Sequence, residues 1–305
     1  MKKTGFFLSL LIFAANVFSQ QEPQFSHNIF NKLVINPGSA GYNQAICVGV
    51  LGRKQWSGFV GAPQTGLINV DAPVRILHGG AGLSLFSDKL GIENNTGAKL
   101  AYAFRTTIGV GQLGIGASFG YMSKTLDSPR LVPITNDGSD QVIPKNVIND
   151  NAMNFGAGLY YNTDIFYLGF SVSQISESEI SYNVPFKLAR HYYLIGAYNF
   201  RLGAILELEP SLFLKSDGAG TPQIDINFLA IYNDFFFGGI SYRYQDAIVP
   251  LIGLQWNNFK VSYAYDINTS ELRGYNSGSH ELFLGYCFKL PEGKTAQKYR
   301  NVRFL

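Results

Sequence analysis

A two-residue alternation of large apolar residues with small or polar ones recurs from about residue 45 to residue 289. One such run is Leu113, Ile115, Ala117, Phe119 and Tyr121, with glycines and a serine between them. Successive side chains of a strand point to opposite faces, so each such strand has one apolar face and one small or polar face. No later stretch approaches the ~20 apolar residues of a membrane helix. The pattern predicts an all-β fold, a transmembrane up-and-down antiparallel β-barrel with a polar lumen.

The sequence accommodates fourteen candidate strands, and an even number brings both ends of the barrel to the same side of the membrane. They span 45–56, 65–74, 77–88, 92–106, 110–123, 152–161, 164–173, 189–200, 205–216, 222–232, 235–244, 247–257, 259–268 and 277–289. Short turns alternate with longer connections, and the long ones are 57–64, 124–151, 174–188, 217–221 and 269–276. This asymmetry is typical of outer-membrane barrels, in which the turns are periplasmic and the loops extracellular. We therefore predict an outer-membrane barrel at 45–289 with both termini periplasmic.

The first residues have the features of a secretory signal peptide. Lys2 and Lys3 precede a short apolar stretch at 6–13, and the small residue Ser19 lies where cleavage is expected. We assign 1–19 to the signal peptide. Its removal takes the formal charge from +3 to +1, because this segment contains two lysines and no acidic residue. Charge therefore predicts no nucleic-acid partner.

Two segments flank the predicted barrel. Residues 20–44 do not alternate, yet they are too apolar to extend freely into the periplasm, so we expect them at the barrel mouth or in the lumen as a plug. The candidate plug residues are Phe25, Phe30, Asn36 and Pro37. Residues 290–305 form a basic tail that we expect in the periplasm. The tail either contacts peptidoglycan or a periplasmic partner, or is a disordered terminus.

The predicted lumen face carries charges of both signs. They are Arg53, Asp71, Lys99, Arg105, Glu207, Glu209, Lys215, Asp225, Arg243, Lys260 and Asp266. A selective ion pore more often has rings of one sign. Mixed signs favour a lumen closed by ion pairs or by a plug, and the alternative is a water-filled lumen in which the charges are solvated.

Short motifs occur in a characteristic order along the chain. They are Gln24-Phe25-Ser26, Asn36-Pro37, Ala40-Gly41, Arg53-Lys54-Gln55-Trp56, Gly61-Ala62-Pro63-Gln64-Thr65, Asp71-Ala72-Pro73 and Gly278-Ser279-His280-Glu281-Leu282. With these motifs the chain resembles the PorP/SprF family of Bacteroidetes outer-membrane proteins, which are associated with type IX secretion and gliding motility. The resemblance extends over the whole mature chain.

The resemblance implies a partner-protein function. It implies secretion or surface attachment of cargo that carries a C-terminal sorting domain, such as a large adhesin, and contact with the periplasmic type IX machinery. The alternative from the residues alone is an outer-membrane channel or transporter for small or hydrophobic solutes. An enzyme is the least supported class, because the four histidines are scattered and no catalytic, metal or cofactor motif occurs. The barrel wall is also expected to contact outer-membrane lipid.

Two regions are candidates for partner binding. Arg53, Gln55 and Trp56 lie near the outer end of the first strand, and Phe59 lies in the following loop. Tryptophan and arginine often dominate interfaces. In the alternative interpretation, Trp56 is an interfacial aromatic residue and Arg53 pairs with a lumen carboxylate. The second region is the longest loop, 124–151, with candidates Pro129, Pro133 and Pro144.

Cys47 and Cys287 are the only cysteines, and they lie at the same end of the first and last strands. Closure of the barrel pairs these strands, and alternation directs both side chains to the lumen. We predict that they lie close together, either as a disulfide across the seam or as two free small apolar residues.

Overall fold

A computed structural model describes residues 22–127, 146–181, 185–220 and 222–289. The predicted signal peptide at 1–19 and the predicted tail at 290–305 lie outside the described residues.

Nearly all regular structure in the described residues is strand. The strands are β1 (Ala45–Lys54), β2 (Gln64–Val74), β3 (Gly79–Leu90), β4 (Glu93–Ile108), β5 (Gly111–Leu126), β6 (Ile148–Asn162), β7 (Phe166–Ser173), β8 (Glu179–Ser181), β9 (Pro185–Lys187), β10 (His191–Tyr198), β11 (Phe200–Leu202), β12 (Leu206–Ser216), β13 (Gln223–Tyr232), β14 (Phe236–Arg243), β15 (Ala247–Trp256), β16 (Phe259–Asn268) and β17 (Ser279–Lys289). One α-helical turn, α1, spans Lys32–Ile35, and 3₁₀ turns span Pro37–Ser39 and Arg75–Leu77. In this part of the chain, no helix is long and apolar enough to cross a membrane.

The strands close into an antiparallel barrel in which each strand pairs with its neighbours in sequence. β11 prolongs β10 beside β12, while β8 and β9 form a separate small sheet. The ring therefore has fourteen strands in the described residues, and β1 pairs with β17 to close it. The predicted fold class is confirmed. Each predicted strand corresponds to an observed one, and the β8–β9 hairpin inside the predicted loop 174–188 was not expected.

Alternation separates the two faces of the barrel wall. Across β17, β1, β2 and β3, one row of neighbouring outward residues is entirely apolar, and it consists of Leu284, Val50, Ile68 and Leu85. The inward positions next to it are buried or half-buried. Since period-two alternation places every second residue on one face, this outward row is the apolar surface that a membrane barrel presents to lipid.

The first described residue lies near the long-loop end of the barrel. Glu22, the first described residue, accepts a hydrogen bond from Ser173, which ends β7, at 2.8 Å. The backbone carbonyl of Glu22 accepts a hydrogen bond from Lys215, next to the end of β12, at 2.7 Å. Both strand ends lie at the long-loop end of the barrel, whereas Lys289 pairs with Ala45 at the short-turn end. Within the described residues, the chain therefore starts at the long-loop end and ends at the short-turn end, because residues 22–44 cross the lumen before β1 begins. That both termini are periplasmic stays a prediction.

The seam joins the two cysteines. Cys47 and Cys287 are direct partners in the β1–β17 register, and their Sγ atoms are bonded at 2.10 Å. The bond links residues 240 positions apart and ties the first strand to the last.

We predict that peptide mapping without reductant recovers the Cys47 and Cys287 peptides as one linked species. The Cys47→Ser/Cys287→Ser variant should lower the free energy of unfolding by at most about 5.5 kcal/mol, the chain-entropy limit for a loop of this length. Urea titration in detergent micelles, followed by tryptophan fluorescence, measures this change. A reductant should destabilise the wild type and leave the double variant unchanged. Recovery of both cysteines as free thiols would contradict the prediction.

Candidate functional site

Residues 22–44, named here the plug, lie inside the barrel. Phe30 packs against Phe237 and Phe283, with ring centroids 5.5 and 5.6 Å apart. Phe25 belongs to the same apolar cluster as Phe283. The aromatic candidates for the plug thus contact the inner wall, and their burial supplies a hydrophobic contribution to docking.

A buried ion network lies in the lumen toward the long-loop end. The Arg53 guanidinium donates to Asp266 at 2.7 Å and to Glu281 at 2.9 Å. The Arg243 guanidinium donates to Asp266 at 2.9 Å and to Asp225 at 3.2 Å. These five side chains are at most 2% exposed. Charges so deeply buried are tolerable only when their hydrogen bonds are satisfied.

The plug completes this network. Ser26 Oγ donates to Asp266 at 2.6 Å and accepts from Arg53 at 2.9 Å. The backbone N–H groups of Ser26 and His27 donate to the two oxygens of Glu281 at 2.8 and 2.7 Å. His27 Nδ1 donates to Glu281 at 2.7 Å, since an ionised carboxylate only accepts. The wall arginines and the plug therefore share the same carboxylates.

The plug also approaches the backbone of β5 and β6. Asn36 Nδ2 donates to the carbonyl of Leu159 at 2.8 Å. A Cβ atom on Gly158 would lie 2.1 Å from Asn36 Oδ1, and one on Gly116 would lie 2.4 Å from the backbone of Pro37. Glycine is required at these two wall positions because the plug occupies the space of a side chain.

Two further cations of the predicted lumen face bind plug carbonyl groups. Lys99 donates to Val34 O at 2.5 Å, and Arg105 donates twice to Ala40 O, at 2.9 and 3.0 Å. Lys260 instead lies over the Phe30 ring, 4.4 Å from its centroid. Mixed charge in the lumen thus serves to bind a plug that is itself largely neutral.

Glu22 anchors the plug near the long-loop end of the barrel. It accepts hydrogen bonds from Ser173, Gln174 and Tyr193. Burial acts to raise its pKa, but nearby charges and a hydrogen bond outweigh burial and lower the pKa from 4.5 to about 2. The groups responsible are His191, Lys99, Lys215 and Tyr193. The carboxylate is therefore ionised near neutral pH and holds several wall residues together.

The predicted partner-binding residues differ in their exposure to solvent. Arg53 is only 4% exposed and pairs with lumen carboxylates, so its guanidinium is not available to an external partner. Gln55 and Trp56 follow β1 and are half-buried, while Phe59 is 52% exposed. Pro129, Pro133 and Pro144 lie outside the described residues.

Sequence reasoning missed several residues of the network. Glu281 alternates with Phe283 and Cys287 along β17, so its inward orientation was readable from the pattern. Ser26 and His27 carry no comparable signal, because the plug has no periodicity. Within the described ranges, no group of three or more His, Cys, Asp and Glu side chains is arranged to hold a metal ion.

Comparison with known proteins identifies one family. The sequence model of the family described as type IX secretion system membrane protein PorP/SprF matches residues 17–286. No curated protein is detectably similar to this chain.

Solved structures with similar folds are remote in sequence. The Ralstonia pickettii toluene transporter TbuX is 9% identical with a TM-score of 0.48, covering 85% of this chain and 93% of its own. The Acinetobacter baumannii outer membrane protein Omp33 is 9% identical with a TM-score of 0.45, covering 80% and 99%. The translocator domain of the Neisseria meningitidis autotransporter NalP is 11% identical with a TM-score of 0.41, covering 81% and 87%.

We predict that Asp266→Asn lowers the free energy of unfolding by about 3–5 kcal/mol, because it leaves two buried guanidinium groups short of an anion. Urea titration in micelles measures the loss. Arg201→Gln is the matched control, since Arg201 is 75% exposed and 4.0 Å from Glu207. Such an exposed pair contributes at most about 1 kcal/mol. Equal effects of the two substitutions would refute the role given to the network.

Acidification should weaken the attachment of the plug through Glu22. A carboxyl whose folded pKa is depressed stabilises the folded state fully above its unfolded pKa, here 4.5, and loses this contribution as the pH falls to about 2. Limited proteolysis of the plug in micelles should therefore be constant from pH 7 to 5 and accelerate below 4.5, with an acid-stable protease. Glu22→Gln should cleave faster at pH 7 and show a smaller pH step. An identical pH profile in wild type and Glu22→Gln would count against this attachment.

Proposed function

Because the chain belongs to the PorP/SprF family of type IX secretion system membrane proteins, we propose that it is an occluded outer-membrane barrel that acts as a membrane-embedded protein partner. Its partner is a type IX cargo protein with a C-terminal sorting domain, such as a large adhesin, which it helps to secrete or to attach at the surface. The plug is the observation that carries this proposal.

The occupied lumen favours a partner protein over a channel. A channel needs a continuous aqueous path, and selective ones more often have a constriction of one sign. Here the plug binds wall charges of both signs, including Arg53, Asp266 and Glu281. Opening a path would expose and separate these buried pairs, which is costly. Solute transport would therefore require displacement of the plug.

The outer loops supply a surface for binding. Loop 55–63 and loop 269–278 are joined by backbone hydrogen bonds of 2.7 Å between Ser57 and the 277–278 segment. Together they expose Phe59, Val60 and Tyr275, which are 52%, 98% and 75% exposed. Large apolar residues grouped on loops are typical of protein-binding surfaces. We name these three residues the loop patch.

Orientation follows from the same proposal. We propose that the long-loop end, with the loop patch and loop 124–151, faces the cell exterior, as in other outer-membrane barrels. The short-turn end then faces the periplasm, where Lys289 leads into the basic segment 290–305. That segment would be positioned to contact the periplasmic machinery or peptidoglycan.

Affinity purification from detergent-solubilised outer membranes, with mass spectrometry of what is recovered, tests the proposal. The wild type, tagged at its C-terminus, should recover a large secreted protein with a C-terminal sorting domain. Phe59→Ser/Val60→Ser/Tyr275→Ser should lose it, because the apolar contact area is removed. Shortening loop 124–151 should also reduce recovery. Arg201→Gln, at the short-turn end, should recover the cargo as the wild type does.

Conductance in planar bilayers tests the alternative. The wild type should show no steady conductance, because the plug remains docked. Steady conductance together with the absence of any recovered cargo would reject the proposal in favour of a channel.

A further inference from the structure

A polar row of side chains crosses the outward face of the barrel near the long-loop end. It passes through β17, β1, β2, β3 and β4, where each residue is the direct register partner of the next. Its members are His280, Lys54, Gln64, Lys89 and Asn94. All lie outside the lumen, because each alternates with a buried or half-buried inward residue. The row is thus a band of hydrogen-bond donors on the outer wall of the barrel.

The next row toward the middle of the barrel has small residues on β1, β2 and β3, and on β17 it has Leu282, which borders them. Gly52 and Gly66 face outward as direct partners, and a Cβ atom on either would meet nothing within 4 Å. Ser87 continues the row. The result is an open groove of about 710 Å³, which Lys54 and Lys89 also line. These glycines leave space on the outside, unlike the inward glycines that accommodate the plug.

The groove lies at a boundary. The row beyond it is the apolar row of Val50, Ile68, Leu85 and Leu284 described above. Polar residues follow apolar ones along a barrel where hydrocarbon gives way to lipid headgroups. The groove is therefore at headgroup depth in the leaflet that meets the long-loop end.

The groove is cationic and not neutralised. Neither Lys54 nor Lys89 forms an ion pair with any residue in the described ranges. No carboxylate occupies an outward position of the two rows. His280 is held in place by Tyr263, whose hydroxyl lies 2.6 Å from Nδ1. On the far side of the barrel, the corresponding partners on β14 and β15 are Tyr242 and Ile248, with no cation.

We propose that this groove binds the phosphate-bearing headgroup of a membrane lipid. Lys54 and Lys89 donate to the phosphate oxygens from either side, and the Gly52–Gly66 floor admits the bulk of the headgroup. Single lysines at a membrane boundary extend toward water without binding a particular lipid. Two unpaired lysines that flank a glycine-floored groove instead match an anionic ligand in both charge and volume. This inference goes beyond the proposed function and does not depend on it.

Native mass spectrometry of the full mature chain in detergent, titrated with diphosphoryl lipid A, tests the proposal. The wild type should retain one lipid molecule and should bind phosphatidylcholine much more weakly. Lys54→Gln/Lys89→Gln should weaken lipid A binding about thirtyfold, because it removes the attraction of two lysines to an anionic headgroup. Gly66→Leu should weaken it as well, by filling the groove while both lysines remain.

Two controls match these variants. Arg201→Gln removes an exposed cation outside the groove. Gly196→Leu fills a different groove on the outer wall of the barrel. That groove has a volume of about 350 Å³ and an apolar lining that includes Leu168, Leu194 and Ile226. Both should bind lipid A as the wild type does, and heat-modifiable gel mobility verifies that every variant is folded.

Equal affinity in the wild type, the lysine variant and Gly66→Leu would overturn the proposal. So would recovery, from outer membranes, of a protein instead of a lipid that both groove variants lose. Because the lipid titration contains no cargo, its failure leaves the cargo experiment unaffected, and the reverse also holds.

Discussion

The rest of the structure depends on the shared carboxylates of Asp266 and Glu281. Each is bound by an arginine of the wall and by the plug, so neither contact is complete without the other. A barrel needs a polar inner face because its outer face is apolar, but polar groups shielded from water must find partners. Ser26 and His27 supply them. The plug is thus held by hydrogen bonds to the polar groups that line the lumen. The hydrophobic contacts of Phe30 stabilise it further.

The barrel itself could be predicted because its signal is local. Alternation follows from strand geometry, and the alternation of short and long connections gives an independent test of strand positions. Strand register also predicts one ion pair of the lumen network. If Cys47 lies opposite Cys287 in an antiparallel pair, the residue six positions after Cys47 lies opposite the one six before Cys287. These residues are Arg53 and Glu281, so this ion pair was implied by the seam register but was not recognised.

The plug contacts could not be predicted in the same way. Residues 22–44 have no period, and their partners are distant in sequence, as Ser26 and Asp266 are. The composition indicated that the segment was too apolar to extend into the periplasm. It did not indicate in which direction the segment runs through the lumen. An even strand count fixes the side on which β1 begins and β17 ends, and says nothing of a segment that crosses the lumen first. For this reason the position of Glu22 at the long-loop end could not be derived from the strand count.

The glycines of the barrel wall fall into two groups, depending on whether they face the plug or the outside of the barrel. Gly116 and Gly158 face inward, where a Cβ atom would collide with the plug, so their substitution disturbs the seal. Gly52 and Gly66 face outward, where a Cβ atom would meet nothing, so packing does not require glycine there. Glycine also weakens a strand relative to β-branched residues. Packing within the chain therefore gives no reason for glycine at these two strand positions. A lipid headgroup that occupies the space beside them would give one. With the lumen filled, the surfaces that remain for the proposed cargo and lipid binding are the loops and this outward face.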